Sequence, residues 1–117
     1  MFKLALCQIK SYIDKNESMA DAERYIREAA AGGAQVVSLP EMWICPYANR
    51  YFKEYAEPAD GPAVKLMAKL AKELGIYLIG GTIPEVEDGK YYNTAFCFDK
   101  NGEMIGRHRK VHLFDIN

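Results

Sequence analysis

The sequence predicts an α/β chain whose mixed sheet carries two helices on one face, and three observations lead there. Apolar runs of strand length recur at residues 3–9, 35–39 and 76–80. Two stretches with apolar residues at helical spacing lie between these runs, which is the β-α-β-α-β order of a crossover fold. Beyond residue 83 that rhythm gives way to aromatic-rich segments bounded by turn signals, so antiparallel hairpins extend the sheet. A length of 117 residues, 50% hydrophobic and 26% charged, suits one globular domain with a real core.

Lys3-Leu4-Ala5-Leu6-Cys7-Gln8-Ile9 is the first buried strand. Only Met1-Phe2-Lys3 precedes its apolar residues, too few for a signal-peptide core or a bilayer span, so a cytoplasmic protein with no membrane attachment is expected. Asp14 and Glu17 have capping-box spacing, with Asn16 and Ser18 as alternative caps. From there Met19, Ala22, Ile26 and Ala29 mark a helix running to Gly32-Gly33. The β-α-β order predicts parallel pairing of the first two strands through a right-handed crossover.

Gln35-Val36-Val37-Ser38-Leu39 reads as a strand buried on both faces, and Pro40 ends it because proline has no N–H for the ladder. Glu41 then leaves at the strand's carboxyl end, where open α/β sheets bind ligands. A partly desolvated carboxylate there is a candidate general base; the alternative is a solvated loop glutamate. Residues 43–52, aromatic-rich and broken by Pro46, read as a pocket wall or a packed surface loop. Gly61-Pro62 opens the second helix, Val64, Met67, Ala68, Ala71 and Leu74 form its apolar stripe, and Gly75 closes it. Ile76 to Gly80 is the third buried strand, while Asp88-Gly89 and Asn101-Gly102 are turns between hairpin strands.

A net charge of −1 gives no field to recruit nucleic acid or an anionic membrane. The single basic run, Arg107-His108-Arg109-Lys110, is either a source of a cation for an oxyanion near Glu41 or a solvated basic strand face. Cys7, Cys45 and Cys97 are odd in number, lack CxxC spacing and read as reduced, buried thiols. With His108 and His112 they make no metal-ligand spacing, so no metal is expected, and Gly80-Gly81-Thr82 lacks the lysine and helix of a P-loop. No cofactor is called for. Cys45 lies four residues beyond Glu41 but between Ile44 and Pro46, which favours packing over nucleophilic attack.

Several blocks taken in order carry a resemblance: Leu4-Ala5-Leu6-Cys7-Gln8, Ser38-Leu39-Pro40-Glu41, Pro46-Tyr47, residues 51–57, residues 79–85, Tyr92-Asn93-Thr94-Ala95 and residues 109–116. Together they resemble the nitrilase, or carbon–nitrogen hydrolase, superfamily, in particular its omega-amidase-like branch. The resemblance implies the first half of a four-layer α-β-β-α sandwich. Residues 1–117 would then be the N-terminal portion of one hydrolase domain, ending before the nucleophile, with one sheet face lacking its partner layer and a tendency to form homo-oligomers. It implies a Glu-Lys-Cys mechanism on a small carboxylate-bearing amide, with Glu41 as general base, Lys110 stabilising the tetrahedral intermediate, and Tyr47 in the substrate pocket. The nucleophilic cysteine and a second glutamate lie further downstream in that family, and none of the three cysteines here occupies the nucleophile's motif. Without a nucleophile, the competing readings are a non-catalytic binding or assembly module on the same fold and, more weakly, a flavodoxin-like signalling domain.

Overall fold

The computed structural model describes residues 3–7, 14–45 and 49–110. In chain order the elements are β1 (Leu4–Leu6), α1 (Lys15–Ala31), β2 (Val36–Ser38), α2 (Asn49–Tyr55), α3 (Pro62–Leu74), β3 (Tyr77–Ile79), β4 (Ile83–Glu87), β5 (Lys90–Phe98) and β6 (Met104–Arg109). β1, β2 and β3 pair in parallel, as two β-α-β crossovers require, and β3, β4 and β6 all run antiparallel to β5.

The helix boundaries follow local chemistry. Asp14 caps α1, its carboxylate accepting the Asn16 N–H at 2.8 Å. Pro62 occupies the first turn of α3, and Gly75 ends that helix in the left-handed conformation at φ 64°. The cap of α3 comes from further back than the adjacent glycine: buried Glu57 accepts the Ala63 N–H at 2.8 Å, and Lys15 Nζ lies 2.5 Å from its other oxygen. Asp88 and Gly89, both at positive φ, form the two-residue turn between β4 and β5.

α1 and α3 cover one face of the sheet. Ala22 and Ile26 from α1, and Val64, Met67, Leu70 and Ala71 from α3, bury against Val37, Leu78, Phe96 and Phe98. Each large side chain so buried is worth about 1.5–3 kcal/mol. The opposite face is open: Leu4, Leu6, Tyr77 and Ile79 are exposed large apolar residues. A central strand buried on both faces is therefore not what these residues form, because no described layer lies on the second side. The observation instead matches half of a four-layer sandwich.

Residues 49–55 fold as the short helix α2, where the sequence suggested irregular structure. At 7 residues α2 is too short to stand on propensity. What holds it is packing, with Phe52 buried beside Met42 and Cys45 and with Tyr51 and Tyr55 against that cluster. The cysteines are free as expected, but only Cys45 is fully buried, while Cys7 and Cys97 are half-buried.

β3 and β4 lie along the same edge of β5 and run in the same direction, so they are one strand interrupted at Gly80-Gly81-Thr82. Ile79 pairs with Cys97 and Ile83 with Thr94, which sets three intervening residues on one side against two on the other. The interruption is thus a one-residue bulge, a device that redirects a strand and often borders a functional site.

Candidate active site

The bulge braces the end of β2. Gly81, at φ 61°, packs so closely on the Leu39-Pro40 backbone that an added Cβ would lie 2.0 Å from the Pro40 carbonyl oxygen. Just beyond, Met42 adopts φ 52°, unusual for a residue with a side chain, and its N–H donates to Thr82 Oγ1 at 2.8 Å. Trp43 is fully buried and its Nε1 donates to the Gly80 carbonyl at 2.8 Å. Both flanks of Glu41 are therefore tied to the same three residues, and the glutamate is turned out of the sheet with no freedom to swing back. Gly81→Ala in the full-length protein is expected to destabilise it by about 2–4 kcal/mol, since the left-handed backbone and the contact with Pro40 must both be relieved. Urea denaturation checks this, and a variant as stable as wild type would sink it.

Glu41 meets its partners from the far end of the chain. Lys110 Nζ lies 2.7 Å from Glu41 Oε1, across 69 positions of sequence, and Asn93 Nδ2 donates to the same oxygen at 3.1 Å. The Lys110 N–H donates in turn to the Asn93 carbonyl at 3.0 Å, continuing the β5–β6 ladder by one residue. Side chains alternate along a strand, and Ile79 pairs with Cys97 on the open face, so Asn93 and Lys110 lie on that face too. Glu41 and Lys110 keep 46% and 45% of their side-chain surface, which leaves the pair accessible. Lys110 exerts the largest pull on the Glu41 carboxyl and holds it below its ordinary range, partial burial opposes this, and Asn93 adds to the lowering. Such a carboxylate is ionised at neutral pH and ready to accept a proton, beside a cation fit to stabilise an oxyanion.

On the opposite face a second carboxylate anchors the same strands. Glu85 is fully buried on β4 and takes a bidentate pair of 2.9 Å hydrogen bonds from Arg109, with a 2.7 Å bond from Thr94 Oγ1. Arg107 approaches to 3.6 Å, and the Arg109 guanidinium stacks 4.1 Å above the Tyr92 ring. Burial pushes the Glu85 carboxyl up, yet the bonds from Arg109 and Thr94 and the nearby charges outweigh it, and the carboxyl sits below its ordinary range. The basic run is thus largely exposed, yet three of its four residues are paired with carboxylates. Arg107 and Arg109 neutralise Glu85 on one side of the sheet while Lys110 reaches Glu41 on the other.

The three cysteines offer no thiolate to this pair. Burial lifts the Cys45 thiol to about 11, against a weak opposing pull from Lys15, and lifts Cys7 as well. Cys97 stands four residues along β5 from Asn93, about 13 Å at the strand rise. No group of three or more His, Cys, Asp or Glu able to hold a metal occurs among the described residues. Tyr47 and His112 lie outside them. No described helix is long and apolar enough to cross a membrane. Residue-by-residue reading missed Asn93 and Thr82. Asn93 did carry a signal, since asparagine is depleted inside strands and this one sits in the middle of β5.

Comparison with known proteins gives the arrangement a context. A family model described as carbon-nitrogen hydrolase matches residues 3–117. The omega-amidases NIT2-B of Xenopus laevis and NIT2 of Homo sapiens are each 47% identical to the chain over 116 residues, which is 99% of this chain and 42% of each relative. The crystal structure of Saccharomyces cerevisiae Nit3, described as a member of branch 10 of the nitrilase superfamily, superposes with a TM-score of 0.88 at 36% identity. That match covers 97% of this chain and 45% of Nit3. The chain thus spans less than half the length of the relatives it matches.

Proposed function

The chain belongs to the carbon–nitrogen hydrolase family, and we propose that the full-length protein hydrolyses a small carboxylate-bearing amide to its acid and ammonia. In this reading Glu41 is the general base, Lys110 is the cation that stabilises the tetrahedral intermediate, and the nucleophile is a cysteine outside residues 1–117. Residues 1–117 form the N-terminal portion of the hydrolase domain. The observation that carries the proposal is the 2.7 Å contact between Glu41 and Lys110 on the open face, with Glu41 held in its ionised form. The names of the human and frog relatives, both omega-amidases, support the substrate class.

The chemistry runs in two halves. The cysteine thiol gives its proton to Glu41, and the thiolate forms a bond to the amide carbonyl carbon, whose oxygen gathers negative charge beside Lys110 Nζ. The C–N bond breaks as the nitrogen takes the proton back, and ammonia leaves a thioester. Water then adds to the thioester carbonyl, Glu41 accepts its proton, and collapse releases the acid and restores the thiol. Tyr47 lines the pocket for the substrate in this proposal, the rest of the domain covers the open apolar face, and the protein works without a cofactor, as a homo-oligomer.

The full-length protein is expected to release ammonia from monoamides of short dicarboxylic acids, and mass spectrometry of the quenched reaction should find the matching acyl group on one cysteine. A folded full-length protein that releases no ammonia from any such monoamide and carries no acyl group would end the proposal. The same result would favour a binding module on this fold.

A further inference from the structure

We propose that Asn93 is a positioning residue that selects which oxygen of Glu41 acts as the base. The inference rests on the reading of Glu41 as the base. Asn93 Nδ2 and Lys110 Nζ both donate to Glu41 Oε1, at 3.1 and 2.7 Å, while Oε2 has no hydrogen-bond partner among the described residues. One oxygen is saturated and the other keeps its lone pairs for an incoming proton. Lys110 alone could not fix that choice. Its ammonium sits on a flexible stem and can bridge either oxygen or both, whereas an amide held on a central strand donates from one place.

Asn93 is well suited to that task. It is 5% exposed, and its neighbours on both sides are sheet strands, with Pro84 opposite it on β4 and β6 on its other flank. Its own carbonyl fixes the Lys110 backbone, so one residue sets the position of the cation's anchor and the orientation of the carboxylate. Its Oδ1 is buried with no hydrogen-bond donor among the described residues. The side chain thus aims its N–H at Glu41 in an orientation that leaves this acceptor unmatched among the described residues, which without a partner costs stability. A flipped amide would set oxygen against carboxylate oxygen. Being neutral, Asn93 also orders the carboxylate without adding charge to a pair already balanced.

The test uses Asn93→Asp and Asn93→Ala in the full-length enzyme, with kcat and KM measured across pH and folding followed by thermal melts. Asn93→Asp keeps the shape and replaces the donor with an acceptor. It is expected to lower kcat about 100-fold with KM within about twofold, and Asn93→Ala about tenfold, as loss of base alignment should. In both variants the acidic limb of kcat/KM moves to higher pH, and further in Asn93→Asp. Glu41 loses a donor that favours its ionised form, and Lys110, one residue past β6, is the only charged group left to favour it among the described residues. A folded Asn93→Asp enzyme with the wild-type kcat and acidic limb overturns the proposal. Failure of both variants to fold overturns it too, since Asn93 would then be structural support. Glu41→Gln separates the two levels of inference. If Glu41→Gln keeps wild-type turnover, the base reading falls; if it abolishes turnover while Asn93→Asp leaves the acidic limb in place, only the positioning role falls.

Discussion

Glu41→Gln in the full-length protein is expected to lower kcat by about 10³-fold, with the fold intact, because the amide cannot take up the proton that the nucleophile must lose. Glu41 is half-exposed at the end of a braced turn, so an isosteric change there disturbs little packing. Lys110→Ala should cost about 10²–10³-fold by removing the cation beside the developing oxyanion. The two variants differ in their pH profiles. Lys110 is the strongest influence holding the Glu41 carboxyl down, so its loss should move the acidic limb of kcat/KM upward, while Glu41→Gln should leave no such limb. Because the groups act as a unit, the double variant should be scarcely worse than Glu41→Gln alone. Wild-type turnover in either single variant, measured by ammonia release, would remove that residue from the mechanism.

Arg109→Ala is expected to be the most damaging substitution for stability, at about 3–5 kcal/mol, since it leaves a buried carboxylate without its bidentate partner. Glu85 is fully buried and would retain only Thr94 and the more distant Arg107. The sign of the pH dependence makes the cause testable. In the wild type the Glu85 carboxyl lies below its unfolded value, so its contribution is present above the ordinary carboxylate range and lost as pH falls through the lowered folded-state value. In Arg109→Ala burial is no longer outweighed, the carboxyl rises above its unfolded value, and acidification relieves the strain by protonating it. The stability gap between the two proteins should therefore be widest at neutral pH and narrow towards about pH 4. A gap that stays constant over that range in urea titrations would show that lost packing, and not an orphaned charge, is responsible.

What could be read from the sequence was whatever is decided within a few residues. The Asp14 cap, the Gly61-Pro62 start and Gly75 end of α3, and the Asp88-Gly89 turn all follow from local backbone chemistry. The exit of Glu41 from the sheet was legible for the same reason, since Pro40 stops a strand wherever it falls. The helix α2 was not, because its aromatic residues have weak helical preference and Phe52 is held by Met42 and Cys45. Nor was the bulge at Gly80-Gly81-Thr82, which exists only as a mismatch between β3–β4 and β5. The partnership of Arg109 with Glu85 and that of Lys110 with Glu41 depend on register, and adjacent basic residues in a run give no hint that they face opposite sides of a sheet. The ordered family blocks named Glu41 and Lys110 as a pair before any geometry was known. They did not suggest that Asn93 touches both.

The mixed sheet also has a consequence for the order in which the site comes into being. β4, β5 and β6 are joined by short turns, so their pairing closes loops of only a few residues, whereas β1, β2 and β3 each wait on a crossover that includes a helix. Loop closure costs less and proceeds faster over short separations, so the meander is expected to nucleate ahead of the parallel strands. Asn93 and Lys110, both carried by that meander, would then stand side by side early in folding. Glu41 would join them only when β2 docks against β3, which makes the last long-range step of assembly also the one that completes the charge pair.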